Sequence, residues 1–146
     1  MSTSSTRSSA TSEPGSGTYH ITVHRVFSAA HALRLPNGTM EKTHGHNWTV
    51  QLTVSAPRLD AMEVVMDFHE LERMLDGLLA TVDSGNLNGA PPFTDGRGGL
   101  KLNPSAERVA WWLGTAVARE LPDGVRLERV EVGEAPGCTA TYVCRS

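Results

Sequence analysis

The sequence predicts an α+β fold with an antiparallel sheet, its elements in the order β-β-α-α-β-β. Three observations carry this. Polar and apolar residues alternate strictly over 47–55, two later segments place apolar residues at helical spacing, and two alternating segments flank Pro136-Gly137. Strands that come in adjacent pairs around two helices indicate an antiparallel sheet, not a doubly wound parallel one.

The first strand begins near Tyr19. Tyr19, Ile21, Val23 and Arg25 alternate with His20, Thr22, His24 and Val26. The second is clearer: Trp48, Val50, Leu52 and Val54 share one face, and Asn47, Thr49, Gln51 and Thr53 the other. Between them Pro36-Asn37-Gly38 marks a turn inside a long loop. Asp67 opens the first helix, with Glu70 placed for a capping box and Phe68, Leu71, Leu75, Leu78 and Leu79 on one face. A loop rich in Gly, Pro and Asn covers 83–99. The second helix follows Asn103, with Pro104 at its first position and Val109, Trp112, Leu113, Ala116 and Val117 on its face. Pro122-Asp123-Gly124 stops it. The last strands are expected near 125–132 and 139–144.

A chain of 146 residues has room for one ordinary domain, burying roughly two-thirds of its unfolded surface. Residues 1–18 are rich in Ser, Thr, Gly and Pro and read as a disordered tail, leaving one domain over 19–146. The tail has neither the apolar segment of a secretory signal nor the Arg-rich amphipathic face of a transit peptide. With 13 Lys+Arg against 16 Asp+Glu, the net charge is −3, which argues against a nucleic-acid footprint. No run of 18 apolar residues exists, so no membrane span is expected. Two cysteines, Cys138 and Cys144, read as packed, reduced thiols, and the expected compartment is the cytoplasm.

His44-Gly45-His46 stands at the entrance of the clearest strand, and side chains at i and i+2 share a face. His31 follows the first strand, and a hairpin can bring it beside that pair. Three neutral imidazole nitrogens with one open position form a catalytic zinc pattern. His20 and His24 read as surface residues. Taken alone, His-x-His also arises by chance in a chain with six histidines.

Further segments add weight. Phe27-Ser28-Ala29-Ala30-His31 precedes Glu41-Lys42-Thr43-His44-Gly45-His46-Asn47. Then come Val65-Met66-Asp67-Phe68, Val82-Asp83 with Asn86-Leu87-Asn88, Asn103-Pro104-Ser105-Ala106-Glu107, and Glu134 ahead of the last strand. In this order and spacing, the sequence resembles the 6-pyruvoyl tetrahydropterin synthase / 6-carboxytetrahydropterin synthase family from Tyr19 onward. The resemblance implies the tunnelling fold, an antiparallel sheet with two helices packed on one face. It implies assembly as a homo-oligomer, a trimer or hexamer. It also implies Zn2+ held by His31, His44 and His46, and a small-molecule substrate, a pterin or related polyol-bearing ring. Glu134 matches the glutamate that grips the pyrimidine edge, a role that suits a carboxylate accepting two parallel N–H bonds.

The family's proton relay is altered here. Met40 and Glu41 stand at and near the position of the usual cysteine. Asp83 remains from an Asp-His pair whose histidine is replaced by Ser84, and Ala135 follows Glu134 where Thr is frequent. Glu41, three residues before His44, resembles a variant branch that cleaves the side chain of dihydroneopterin. The catalytic candidates are therefore Glu41 and Asp83. Read without the resemblance, Glu41 is equally a solvated loop carboxylate beside Lys42. The expected activity is a zinc-dependent lyase of this type. The alternatives are a family member recruited to a non-pterin substrate in specialised metabolism, or a non-catalytic zinc- or pterin-binding protein.

Overall fold

The computed structural model describes residues 15–145; the tail expected over 1–18 falls outside them as far as residue 14. In chain order the elements are β1 (Tyr19–His31), β2 (His44–Ala56), α1 (Phe68–Leu79), β3 (Gly85–Asn86), a 3-10 turn (Leu87–Gly89), α2 (Ala106–Ala118), β4 (Arg126–Ala135) and β5 (Cys138–Val143). One five-stranded sheet has the order β3-β1-β2-β4-β5. It is antiparallel except for β3, which pairs parallel with β1 at Ala29↔Gly85 and Ala30↔Asn86. Two residues are too few to leave a period, which is why β3 has no trace in the sequence pattern. Among the described residues, no helix is long and apolar enough to cross a membrane.

The alternation that marks β1 continues past Val26 to His31, so the strand is longer than its opening residues suggest. Val23, Phe27, Ala29 and His31 form its buried row. Arg25 lies in the same row but meets α1, where its guanidinium pairs with Glu72 and Asp76, each at 2.6 Å. The inner row of β2, Trp48, Val50, Leu52 and Val54, is fully buried, as alternation requires. Burying such side chains contributes about 1.5–3 kcal/mol each. On the other face Thr53 is buried rather than solvated, because its hydroxyl meets that of Thr22 across the ladder at 2.7 Å.

Both helices cover the inner face. Asp67 caps α1 by accepting from the His69 amide at 2.8 Å, and Leu71, Leu75 and Leu79 face the core. Phe68 does not join them and is exposed. A first-turn side chain leans toward the helix N-terminus and overhangs the end of this stripe. At α2 the cap is Ser105, whose hydroxyl accepts from the Arg108 amide at 3.2 Å. Pro104 therefore precedes the cap instead of occupying the first helical position. Serine satisfies an orphan amide that proline leaves unmet, and the Pro104 carbonyl is engaged elsewhere. Val109, Ala110, Leu113, Gly114 and Val117 are buried, while Trp112 is half-buried, edge-on to Phe93. Gly137, at φ 79°, turns β4 into β5. Cys138 is exposed rather than packed, and Cys144 is half-buried; both are free thiols.

Candidate metal centre

The β1–β2 ladder runs without a break from Tyr19↔Ala56 to His31↔His44. Directly paired residues on antiparallel strands project to the same side. His31 therefore lies across from His44, and Phe27 from Trp48, with His46 between them on β2. The rings form one cluster: His31 is 4.7 Å from His44 and 5.1 Å from His46, and Trp48 underlies both His31 and His46 at 4.9 and 5.6 Å, centre to centre. The Trp48 indole donates to the Ala29 carbonyl at 3.1 Å, which fixes this floor. On β4, Val132 pairs with Val50 on the inner side; Glu134, just beyond the last β2 partner and at a break in the β4–β5 register, brings its carboxylate to the imidazoles.

Hydrogen bonding sets the tautomers. His31 Nδ1 lies 2.8 Å from the Pro104 carbonyl, and His44 Nδ1 lies 2.8 Å from the Lys42 carbonyl. A carbonyl only accepts, so each neutral ring carries its proton on Nδ1 and turns a lone pair outward from Nε2. Those two Nε2 atoms are 3.1 Å apart, so while both rings are neutral they face each other with no proton to share. His46 Nε2 is buried and without a hydrogen-bond partner. Burial holds the His46 pKa below its usual value, with Glu134 pulling the other way. Glu134 Oε1 approaches His31 Nε2 to 2.9 Å and His46 Nε2 to 3.4 Å.

Facing lone pairs and an orphaned buried nitrogen are costly in a neutral site. A divalent cation removes both costs. The ligand atoms of the three histidines and Glu134 lie within 4.8 Å of one another. Four ligands at zinc distances of roughly 2.0–2.1 Å stand roughly 3.4 Å apart, close to the separations of 2.9, 3.1 and 3.4 Å found here. Nitrogen-rich, borderline donors of this kind suit zinc.

Glu41 sits in the loop between β1 and β2. Its amide donates to the Leu33 carbonyl at 2.9 Å, and its Oε1 accepts from the Leu33 amide at 2.9 Å. One carboxylate oxygen thus closes the loop on itself, and the Glu41 charge, the weakest of the influences on His46, opposes the lowering of its pKa by burial.

A family model described as 6-pyruvoyl tetrahydropterin synthase matches residues 20–144. The chain belongs to this family. Dihydroneopterin monophosphate aldolase of Pyrococcus furiosus is 30% identical over 108 residues, covering 74% of this chain and 82% of that protein. The 6-pyruvoyl tetrahydropterin synthase of Caenorhabditis elegans superposes with a TM-score of 0.72 at 20% identity, covering 88% of this chain and 97% of that one. The Plasmodium vivax synthase gives 0.70 at 17% identity, covering 89% and 99%, and its solved variants include one in which a catalytic glutamate is replaced by alanine. These likenesses bear out the tunnelling fold.

Within that fold, Asp83 and Ser84 take a structural position. Asp83 Oδ1 accepts from the Ser28 amide at 2.9 Å, and the Ser84 amide donates to the Ser28 carbonyl at 2.6 Å. Together they bind the turn after α1 to the edge of β1, and Ser84 adopts φ 61° to do so. Within one chain, then, His31, His44, His46 and Glu134 converge, Glu41 borders them, and Asp83 does not join the ligand set. The sequence pattern missed the two carbonyls that orient the rings. Asn103-Pro104 stood out only as a helix start, and a backbone oxygen leaves no mark on residue type.

Proposed function

We propose that this chain is a zinc-dependent pterin lyase that cleaves the polyol side chain of dihydroneopterin or its monophosphate. One observation carries the reading. Three imidazole Nε2 atoms converge with Glu134, and Glu41 is fastened beside them by a single carboxylate oxygen. The P. furiosus relative, an aldolase for dihydroneopterin monophosphate, supports the reaction class. The P. vivax variant supports a glutamate as catalytic group in this fold.

His31, His44 and His46 would hold zinc. When bound, the ion would act as a Lewis acid toward oxygen, a role that lowers the pKa of bound water to about 7. Glu41 then takes the proton from the hydroxyl on the second side-chain carbon. The bond between the first and second carbons breaks, and its electron pair passes into the dihydropterin ring system. The ring-attached carbon regains a proton. The products are a hydroxymethyl dihydropterin and a two-carbon aldehyde, so atoms and electrons balance. Glu134, at the mouth with its side chain 32% exposed, accepts the paired N–H groups of the pyrimidine edge and thereby leaves its place against the imidazoles. Asp83 serves as a positioning residue through the Ser28 amide. The same reading takes the protein as a homo-oligomer, a trimer or hexamer, which light scattering would establish.

The test is direct. Zinc-loaded protein should convert dihydroneopterin or its monophosphate to a hydroxymethyl pterin and a two-carbon aldehyde. Chelation should stop the conversion and added zinc restore it. Loaded protein that cleaves neither compound removes the lyase reading.

A further inference from the structure

The three residues that follow His31 lie beyond the end of β1, yet the amide and carbonyl of each are bonded as in a ladder. The Ala32 amide donates to Asn88 Oδ1 at 2.9 Å, and Asn88 Nδ2 donates to the Ala32 carbonyl at 2.7 Å. The Arg34 amide donates to Asn103 Oδ1 at 2.7 Å, and Asn103 Nδ2 donates to the Arg34 carbonyl at 3.1 Å. Leu33, between them, exchanges its bonds with the amide and carboxylate of Glu41. A side-chain amide offers a donor and an acceptor, as a peptide group does, so each asparagine stands in for a neighbouring strand. Asn88 extends the edge that β3 begins: Ala30 pairs with Asn86, and two residues on Ala32 meets Asn88.

These bonds bear on Glu41. Residues 34–40 are exposed, so hydrogen bonds rather than core packing must hold the loop. Glu41 is fastened to Leu33 and can be no better placed than Leu33 is. On one side of Leu33, Ala32 is buried beside the end of β1. On the other, Arg34 is exposed, and Asn103 holds its backbone. Asn103 is followed by Pro104, whose carbonyl binds His31 Nδ1. One dipeptide ahead of α2 therefore orients a metal-binding ring through its backbone and steadies the loop of Glu41 through its side chain.

We infer that Asn103 is a positioning residue: through Arg34 and Leu33 it sets where the Glu41 carboxylate stands relative to the three imidazoles. That Glu41 is the base rests on the pterin-lyase reading; the mechanical link from Asn103 to Glu41 does not.

The experiment compares full-length, zinc-loaded parent and Asn103→Ala protein in two arms. In the first, amide exchange at Leu33 and Glu41 should quicken about tenfold or more in the variant, while zinc content and exchange at Val50 and Leu52 stay at parent levels. In the second, kcat for dihydroneopterin or its monophosphate should fall about tenfold to a hundredfold, with KM within about twofold. In a Glu41→Gln background the same substitution should cost less than about twofold, because no base remains to be placed. Asn103→Asp keeps an acceptor for the Arg34 amide and loses the donor to its carbonyl, so its losses should be intermediate. It carries both arms should Asn103→Ala fold poorly. Asn37→Ala removes two hydrogen bonds from the same loop, those from the Thr39 amide and hydroxyl, and should leave kcat and exchange at Glu41 unchanged. Unchanged exchange at Leu33 and Glu41 overturns the assignment, as does faster exchange with an unchanged kcat. An equal loss of kcat in Asn37→Ala, or an undiminished one in the Glu41→Gln background, marks general loosening and overturns it too. Faster exchange in the variant of a parent that cleaves neither pterin upholds the link to Glu41 and sinks the lyase reading alone.

Discussion

His31 and His44 face each other directly across the β1–β2 ladder, and their Nε2 atoms stand 3.1 Å apart with both Nδ1 protons bound to backbone carbonyls. Neither nitrogen can donate to the other while both rings are neutral. A cation between them would satisfy both lone pairs.

Zinc should therefore bind the folded chain and stabilise it. A ligand that binds only the native state adds about 2.7 kcal/mol at a hundredfold excess over its Kd. Thermal melts with and without zinc should separate accordingly. His44→Ala should lose both the bound metal, measured by elemental analysis, and the zinc-dependent rise in Tm. A His44→Ala protein that kept one zinc per chain would dissolve the proposed centre.

Glu41→Gln should leave the loop intact, because the amide oxygen of Gln can still accept from the Leu33 amide. Zinc content should not change. Turnover should fall by about 10²–10⁴-fold, the range expected when a general base is removed. Unchanged kcat would take Glu41 out of the chemistry and leave it as a loop clamp.

Glu128 supplies a pH dependence remote from the metal. Ser55 Oγ donates to its carboxylate at 2.5 Å and Arg126 Nε at 2.9 Å, so its pKa is held below the carboxylate value of 4.5. A depressed folded-state pKa contributes stability that is present above the unfolded value and lost as pH falls through the folded value. Glu128→Gln should thus be less stable than the parent at pH 7. The gap should close progressively as pH drops below about 4.5. Urea melts at several pH values measure this, and a gap independent of pH would exclude the carboxylate's charge as its source.

Gly114 is buried on the face of α2 that packs against β4 and β5. A Cβ there would stand 3.0 Å from Leu127 and 3.1 Å from both Tyr142 and Val130. Gly114→Val adds two further methyl groups where three neighbours already touch. Overpacking of this kind costs about 1–3 kcal/mol, read as a lower urea midpoint. An equal or higher midpoint would mean that α2 can lift from β4 and β5 freely.

The period-two rows of β1 and β2 were readable in the sequence because one face is buried and the other solvated; Trp48 to Val54 state this outright. The same spacing put His44 and His46 on one face, while His31, read as following the first strand, was only expected to be brought beside them by a hairpin. What resisted reading was whatever depended on the backbone or on distant pairing. The carbonyls of Lys42 and Pro104 orient the rings, yet neither residue type advertises it. Thr53 looked solvated because its partner, Thr22, lies on another strand. Glu134 came from the motif, but its contact with His31 needed the register of β4 against β2, which local pattern does not contain.

The unbroken pairing of β1 with β2 has a consequence for how the hairpin is kept in alignment. Sliding one strand past the other by a single residue would rotate His31 to the opposite side of the sheet relative to His44 and His46. An ion gripped by all three rings would penalise every such misalignment and so act as a pin through the ladder. Chelation would then loosen strand alignment as well as remove reactivity, and amide exchange along Ala29–His31 and His44–His46 would be where the slackening first appears.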